Sequence, residues 1–147
     1  LDESFPLEPM QPLIERGADI SLPGRNGISP LSAAGYMGSA PIVQLFIDKG
    51  ADPKATDNTQ KTAIVYAAGR GFFPVVRLLP DHGVDVNTKY GNDLTALMWA
   101  AGYGQEPVAR LLLQRGADRT LRDDRGKTAA EIARELNHQG MVQLLAP

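Results

Sequence analysis

The chain has 147 residues, enough for one domain, and its 43% hydrophobic and 22% charged residues match an ordinary globular protein. Its 15 Lys and Arg are outnumbered by 17 Asp and Glu, for a net charge of -2, which argues against nucleic acid as a partner because phosphate binding needs uncompensated cations. Cysteine is absent, excluding disulfides, thiolate metal sites and cysteine nucleophiles, and no apolar run approaches the ~18 residues that suggest a membrane span.

The elements follow a period. Gly-Ala-Asp starts at Gly17, Gly50 and Gly116, and Gly-Val-Asp at Gly83, so the motif returns every 33 residues. Ser29, Thr62, Thr95 and Thr128 keep the same interval, as do Gly38, Gly71 and Gly104, with Asn137 in the fourth place. Residues 8–23 read as a half unit without a first helix. Ahead of it, "ESFPLEP" either caps the stack as irregular chain or follows further repeats. The chain opens at Leu1 rather than Met, so a signal peptide or upstream residues are expected to be missing. Full units are expected at 24–56, 57–89 and 90–122, and a capping unit at 123–147. In that last unit "EIARELNHQG" puts polar residues where inner units have Ala and Gly.

Each unit reads as helix, turn, helix, loop. The hydroxyls of Ser29, Thr62, Thr95 and Thr128 can cap a first helix, and Pro30 suits its first position. That helix is short and rich in small residues: "SAAGYM", "VYAAGR", "MWAAGY", "EIARE". Gly38, Gly71 and Gly104 can stop it in the left-handed conformation. Pro41, Pro74 and Pro107 open second helices whose apolar residues recur at i, i+3 and i+4, which buries one face. Phe46 takes a core position there, and Gln44, Arg77, Arg110 and Gln143 point outward. Phe72 and Phe73 fall at the turn between helices. Pro80 lies late in a second helix and predicts a shortened or kinked one. No unit can bury its apolar face alone, but stacked units can.

A unit such as "GADPKATDNTQKTAIVYAAGRGFFPVVRLL", recurring in register from about Glu8 to Ala146, resembles the ankyrin repeat. The resemblance implies an all-α solenoid of helix-turn-helix units joined by short hairpin-like loops. It further implies a concave face of first helices and loop tips that binds partner proteins, with second helices on the convex back. One departure is clear. The family's Thr-Pro-Leu-His becomes Ser-Pro-Leu-Ser, Thr-Ala-Ile-Val, Thr-Ala-Leu-Met and Thr-Ala-Ala-Glu, so the histidine and its hydrogen bonds are missing.

Projected onto that face, one row of equivalent positions reads Ala33, Tyr66, Trp99, Ile132, and another Met37, Arg70, Tyr103, Leu136. Tyr36 falls in a third row and Tyr90 at a loop tip. Tyr, Trp and Arg are the residues most enriched at binding hot spots. Tyr36, Tyr66, Arg70, Tyr90, Trp99 and Tyr103 are therefore the candidate partner-binding residues, with Arg25, Asp57, Asn92 and Arg125 on a charged rim. Tyr66 and Trp99 are expected to be neighbours along a stripe from which Trp99 and Tyr103 project. Alternatively, Trp99 covers the alanine-rich groove between first helices and serves packing alone.

Catalytic signals are absent. His82 and His138 lie 56 positions apart without ligands at metal spacing, and the glycines follow the period rather than a phosphate-binding pattern. No nucleophile has a base and an orienting group in reach. The expected function is non-enzymatic recognition of another protein, without cofactor, by a chain monomeric on its own in cytoplasm or periplasm. A targeting fragment of a larger enzyme or transporter is the alternative, and an enzyme for a small molecule a remote one. The wording of the units resembles bacterial ankyrin proteins.

Overall fold

The computed structural model describes residues 16, 17 and 19–147, so most of the expected half unit at 8–23 lies outside the described residues. Among the described residues eight α-helices form four pairs: α1 (Pro30–Met37) and α2 (Ala40–Asp48), α3 (Ala63–Arg70) and α4 (Phe73–Leu78), α5 (Ala96–Gly102) and α6 (Glu106–Gln114), α7 (Ala129–Glu135) and α8 (Gln139–Leu145). No strand occurs among the described residues. The first helices α1, α3, α5 and α7 pack side by side in one row, and α2, α4, α6 and α8 form a second row behind them. The result is the all-α repeat solenoid that the resemblance implies.

The core repeats with the sequence. Ile42, Val75, Val108 and Met141 are equivalent and buried, as are Phe46, Leu79, Leu112 and Leu145. Each such side chain contributes about 1.5–3 kcal/mol on leaving water. In the first-helix row Ala34, Ala67, Ala100 and Ala133 are buried at one equivalent position, where small volume lets helices approach. Gly35 marks the tightest approach: a Cβ there would lie 3.0 Å from the Ala63 Cβ and 3.1 Å from its backbone.

Helix ends follow the expected chemistry with one exception. The Ser29, Thr95 and Thr128 hydroxyls accept from the amides of Ser32, Met98 and Glu131, and Glu131 closes a reciprocal box on Thr128. Thr62 does not cap α3. Its φ of -124° is more extended than the -70° to -89° of its three counterparts. The Thr62 oxygen is buried without a hydrogen bond among the described residues. Gly38 and Gly71 end their helices at φ values of 80° and 79°, and Asn137 adopts the same conformation at φ 63°. Pro80 has the expected effect. α4 stops after 6 residues and continues as a 3-10 turn over Leu79–His82, whereas α2 and α6 each run for 9.

The loops close in register. The amides of Gly24, Asp57, Tyr90 and Asp123 donate to the carbonyls of Ile28, Lys61, Leu94 and Lys127 at 2.8–2.9 Å. Loop tips then join across units, through Asn58 N–H to the Asn26 carbonyl (2.9 Å) and Asp124 N–H to the Asn92 carbonyl (3.0 Å). Behind the first helices, Gln105 donates to the Gly69 carbonyl at 3.1 Å and His138 Nε2 to that of Gly102 at 2.9 Å. His138 is thus a link between neighbouring units. Phe72 holds the same register position and packs over Gly38 instead.

Candidate functional site

The face of the first helices carries a cleft of about 260 Å³ where α1, α3 and α5 meet. Five of the ten sequence candidates converge on it: Tyr36, Tyr66, Arg70, Trp99 and Tyr103. Helix geometry explains the convergence. Tyr36, Tyr66 and Trp99 stand on successive parallel helices, and Arg70 and Tyr103 lie one turn further along.

The rings pair differently from the expected stripe. Tyr36 meets Tyr66 edge to face, with centroids 5.7 Å apart, and Trp99 stacks on Tyr103 at 6.1 Å with an interplanar angle of 11°. Tyr66 and Trp99 are joined through a cation rather than ring to ring. The Lys61 Nζ lies 5.0 Å from the Trp99 centroid and 5.7 Å from that of Tyr66. At the other end, the Arg70 guanidinium carbon is 4.2 Å from the Tyr36 centroid and 5.3 Å from that of Phe72. Gly69 forms part of the floor: a Cβ there would lie 3.3 Å from Tyr103 and 3.8 Å from Trp99.

Tyr103 projects as expected, 61% exposed, and so does Tyr36 at 44%. Trp99 does not project. Its ring is half-buried against the neighbouring helix, where Gly69 leaves room, and its indole N–H is buried with no hydrogen-bond partner among the described residues. Trp99 thus packs against the groove and also lines the cleft.

Asp57 needs correction as a rim charge. It is only 7% exposed, because its carboxylate completes the hairpin turn. Oδ1 accepts from the amides of Thr59 (2.8 Å) and Lys61 (3.1 Å) and from the Thr59 hydroxyl, and Oδ2 accepts from the Tyr66 hydroxyl. Burial pushes the Asp57 carboxyl upward, but these bonds outweigh it and hold the pKa below the usual value. Burial and the bond to Asp57 raise the Tyr66 phenol. Tyr66 is thereby held in place from beneath. Asp123 repeats the arrangement at 6% exposure, with Arg125 and Lys127 amides at 2.9 Å.

The remaining rim candidates scatter. Arg25 and Asn92 are exposed on their loop tips, and Asn92 holds φ at 60° so that its carbonyl reaches Asp124. Tyr90 takes the register position of Asp57 but is half-buried, and burial raises its phenol. It lines a separate hollow of about 610 Å³ between hairpin loops, with Lys54, Gln60 and Lys89. Arg125 pairs with Asp123 at 2.9 Å and Glu135 at 3.5 Å. It also edges a second cleft of about 410 Å³, lined by Leu94, Met98, Ile132 and Leu136 on the far side of Trp99 and Tyr103.

Sequence reasoning missed Lys61. The signal was weak: this register position reads Ile28, Lys61, Leu94, Lys127, so lysines alternate with apolar residues. It placed Leu136 on this face without making it a candidate, although that apolar side chain is 54% exposed beside the second cleft. No cluster of His, Cys, Asp or Glu that could hold a metal occurs among the described residues, and no described helix is long and apolar enough to cross a membrane.

A family model described as ankyrin repeats (3 copies) matches residues 5–90 and 83–147. No curated protein matches the chain.

Proposed function

The chain belongs to the ankyrin repeat family, and on that footing we propose that it is a non-enzymatic module that holds a partner protein on its first-helix face. Ankyrin repeats generally serve as protein–protein interaction modules. The observation that carries the reading for this chain is the cleft of Tyr36, Tyr66, Trp99 and Tyr103, edged by Lys61 and Arg70. Aromatic rings offer wide contact area with few rotatable bonds, and arginine adds directed donors. The cleft is ordered by the hydrogen bond of Tyr66 to Asp57 and by stacking of Tyr103 on Trp99, so binding loses little conformational entropy. The loop tips flank it and can fix the orientation of the partner.

Affinity capture from lysate of the source cells tests the reading. Tyr36→Ala/Tyr103→Ala is the suitable variant, because both rings are exposed and their removal leaves the core intact. Wild type is expected to retain a protein that the variant, folded by circular dichroism, loses. Equal retention by both would place binding elsewhere on the molecule.

A further inference from the structure

The cleft has a chemical bias that goes beyond being aromatic, and it specifies a partner for the site proposed above, on which it rests. Aromatic cages ordinarily attract cations. Here the chain's own cations already occupy the ring faces: Lys61 over Trp99 and Tyr66, Arg70 over Tyr36 and Phe72. Neither cation has a carboxylate partner among the described residues, so both charges are open to a ligand. The nearby Asp57 is buried and already engaged with Tyr66, Thr59 and the Lys61 amide. The cleft thus presents positive charge around an apolar floor of Val65 and Gly69.

We propose that the cleft takes an acidic peptide segment of the partner, in which two carboxylates flank an apolar or aromatic side chain. The apolar side chain enters between the Tyr36–Tyr66 and Trp99–Tyr103 pairs, and the carboxylates accept from Lys61 and Arg70. Lys61 precedes α3 by two residues and Arg70 is its last residue. The charged groups are linked through ring centroids by steps of 5.7, 5.7 and 4.2 Å, so they lie no more than about 16 Å apart. An extended chain covers that span in at most about five residues. A segment with its carboxylates within about five residues of each other and the apolar residue between them therefore fits.

The test is selection of random nine-residue peptides on the immobilised protein, with parallel selection on Lys61→Gln/Arg70→Gln. Both substitutions fall on exposed or half-buried side chains and leave the buried core untouched, so the variant folds. Peptides enriched on wild type are expected to carry Asp or Glu on both sides of an apolar residue. The double variant should bind such a peptide at least about tenfold more weakly, the worth of one charge-assisted hydrogen bond. A Trp-free peptide should also change the emission of Trp99, the single tryptophan. Enriched peptides without acidic residues, equal binding to the Gln variant, or no enrichment at all would overturn the proposal. Peptides that depend on Tyr36 and Tyr103 but not on Lys61 and Arg70 would remove the acidic partner while leaving the aromatic binding face standing.

Discussion

Asp57 shows how a residue can look like part of a surface and belong to the interior. Its position in a polar turn suggests a solvated charge, yet its carboxylate ties together a hairpin and the Tyr66 ring. Asp57→Ala leaves the Thr59 and Lys61 amides without their acceptor and should cost about 1–3 kcal/mol in urea unfolding. It should also loosen Tyr66. The pH dependence has a definite sign. The folded-state pKa values of Asp57 and Asp123 are held below normal, so the unfolded chain takes up protons first. Their stabilisation is fully present above the unfolded carboxylate value, about 3.9, and is lost as pH falls through the lower folded value. Urea midpoints at pH 7 and pH 3 should therefore differ more for wild type than for Asp57→Asn/Asp123→Asn. An equal difference would show that these turns do not govern the acid sensitivity. Trp99 makes the complementary point. A large ring in a run of alanine and glycine reads as a projecting tool, but its half-burial follows from Gly69 on the helix opposite, which no inspection of residues 95–104 alone reveals.

At the scale of the element, the helices were legible because cap, small residue, stop and apolar face recur every 33 residues. Two exceptions were local. Pro80 announced itself through its missing donor, and α4 is accordingly short. Thr62 gave no warning, because its residue type is that of Thr95 and Thr128, which do cap. Pro80→Leu should extend α4 toward the 9 residues of its counterparts and raise the helical circular dichroism signal, with a gain of up to about 3 kcal/mol. An unchanged spectrum would mean that the 3-10 turn is fixed by packing of Leu79 rather than by the proline. Gly35→Ala pushes a methyl group into the Ala63 backbone and should cost about 1–3 kcal/mol, read as a lower thermal midpoint. The same change at Gly102, whose nearest neighbours are flexible side chains at 3.6 Å, should be far milder.

For the whole molecule, composition hides the chemistry of the site. A net charge of -2 gives no hint that one cleft gathers two unpaired cations against four aromatic rings. The period made the fold and the make-up of the first-helix face readable, because equivalent positions line up into rows. It could not give the pairing of rings, the bridging Lys61 or the separation of Tyr90 from the cleft, since these depend on side-chain directions across three helices. The most direct measurement is a fluorescence titration of the purified chain with the protein it captures. Trp99, the single tryptophan, forms a wall of the cleft, so its emission should shift saturably as the partner binds, and Tyr36→Ala/Tyr103→Ala should abolish the shift. Saturating complex formation, followed by size-exclusion chromatography, with no change in Trp99 emission would contradict the cleft as the binding site.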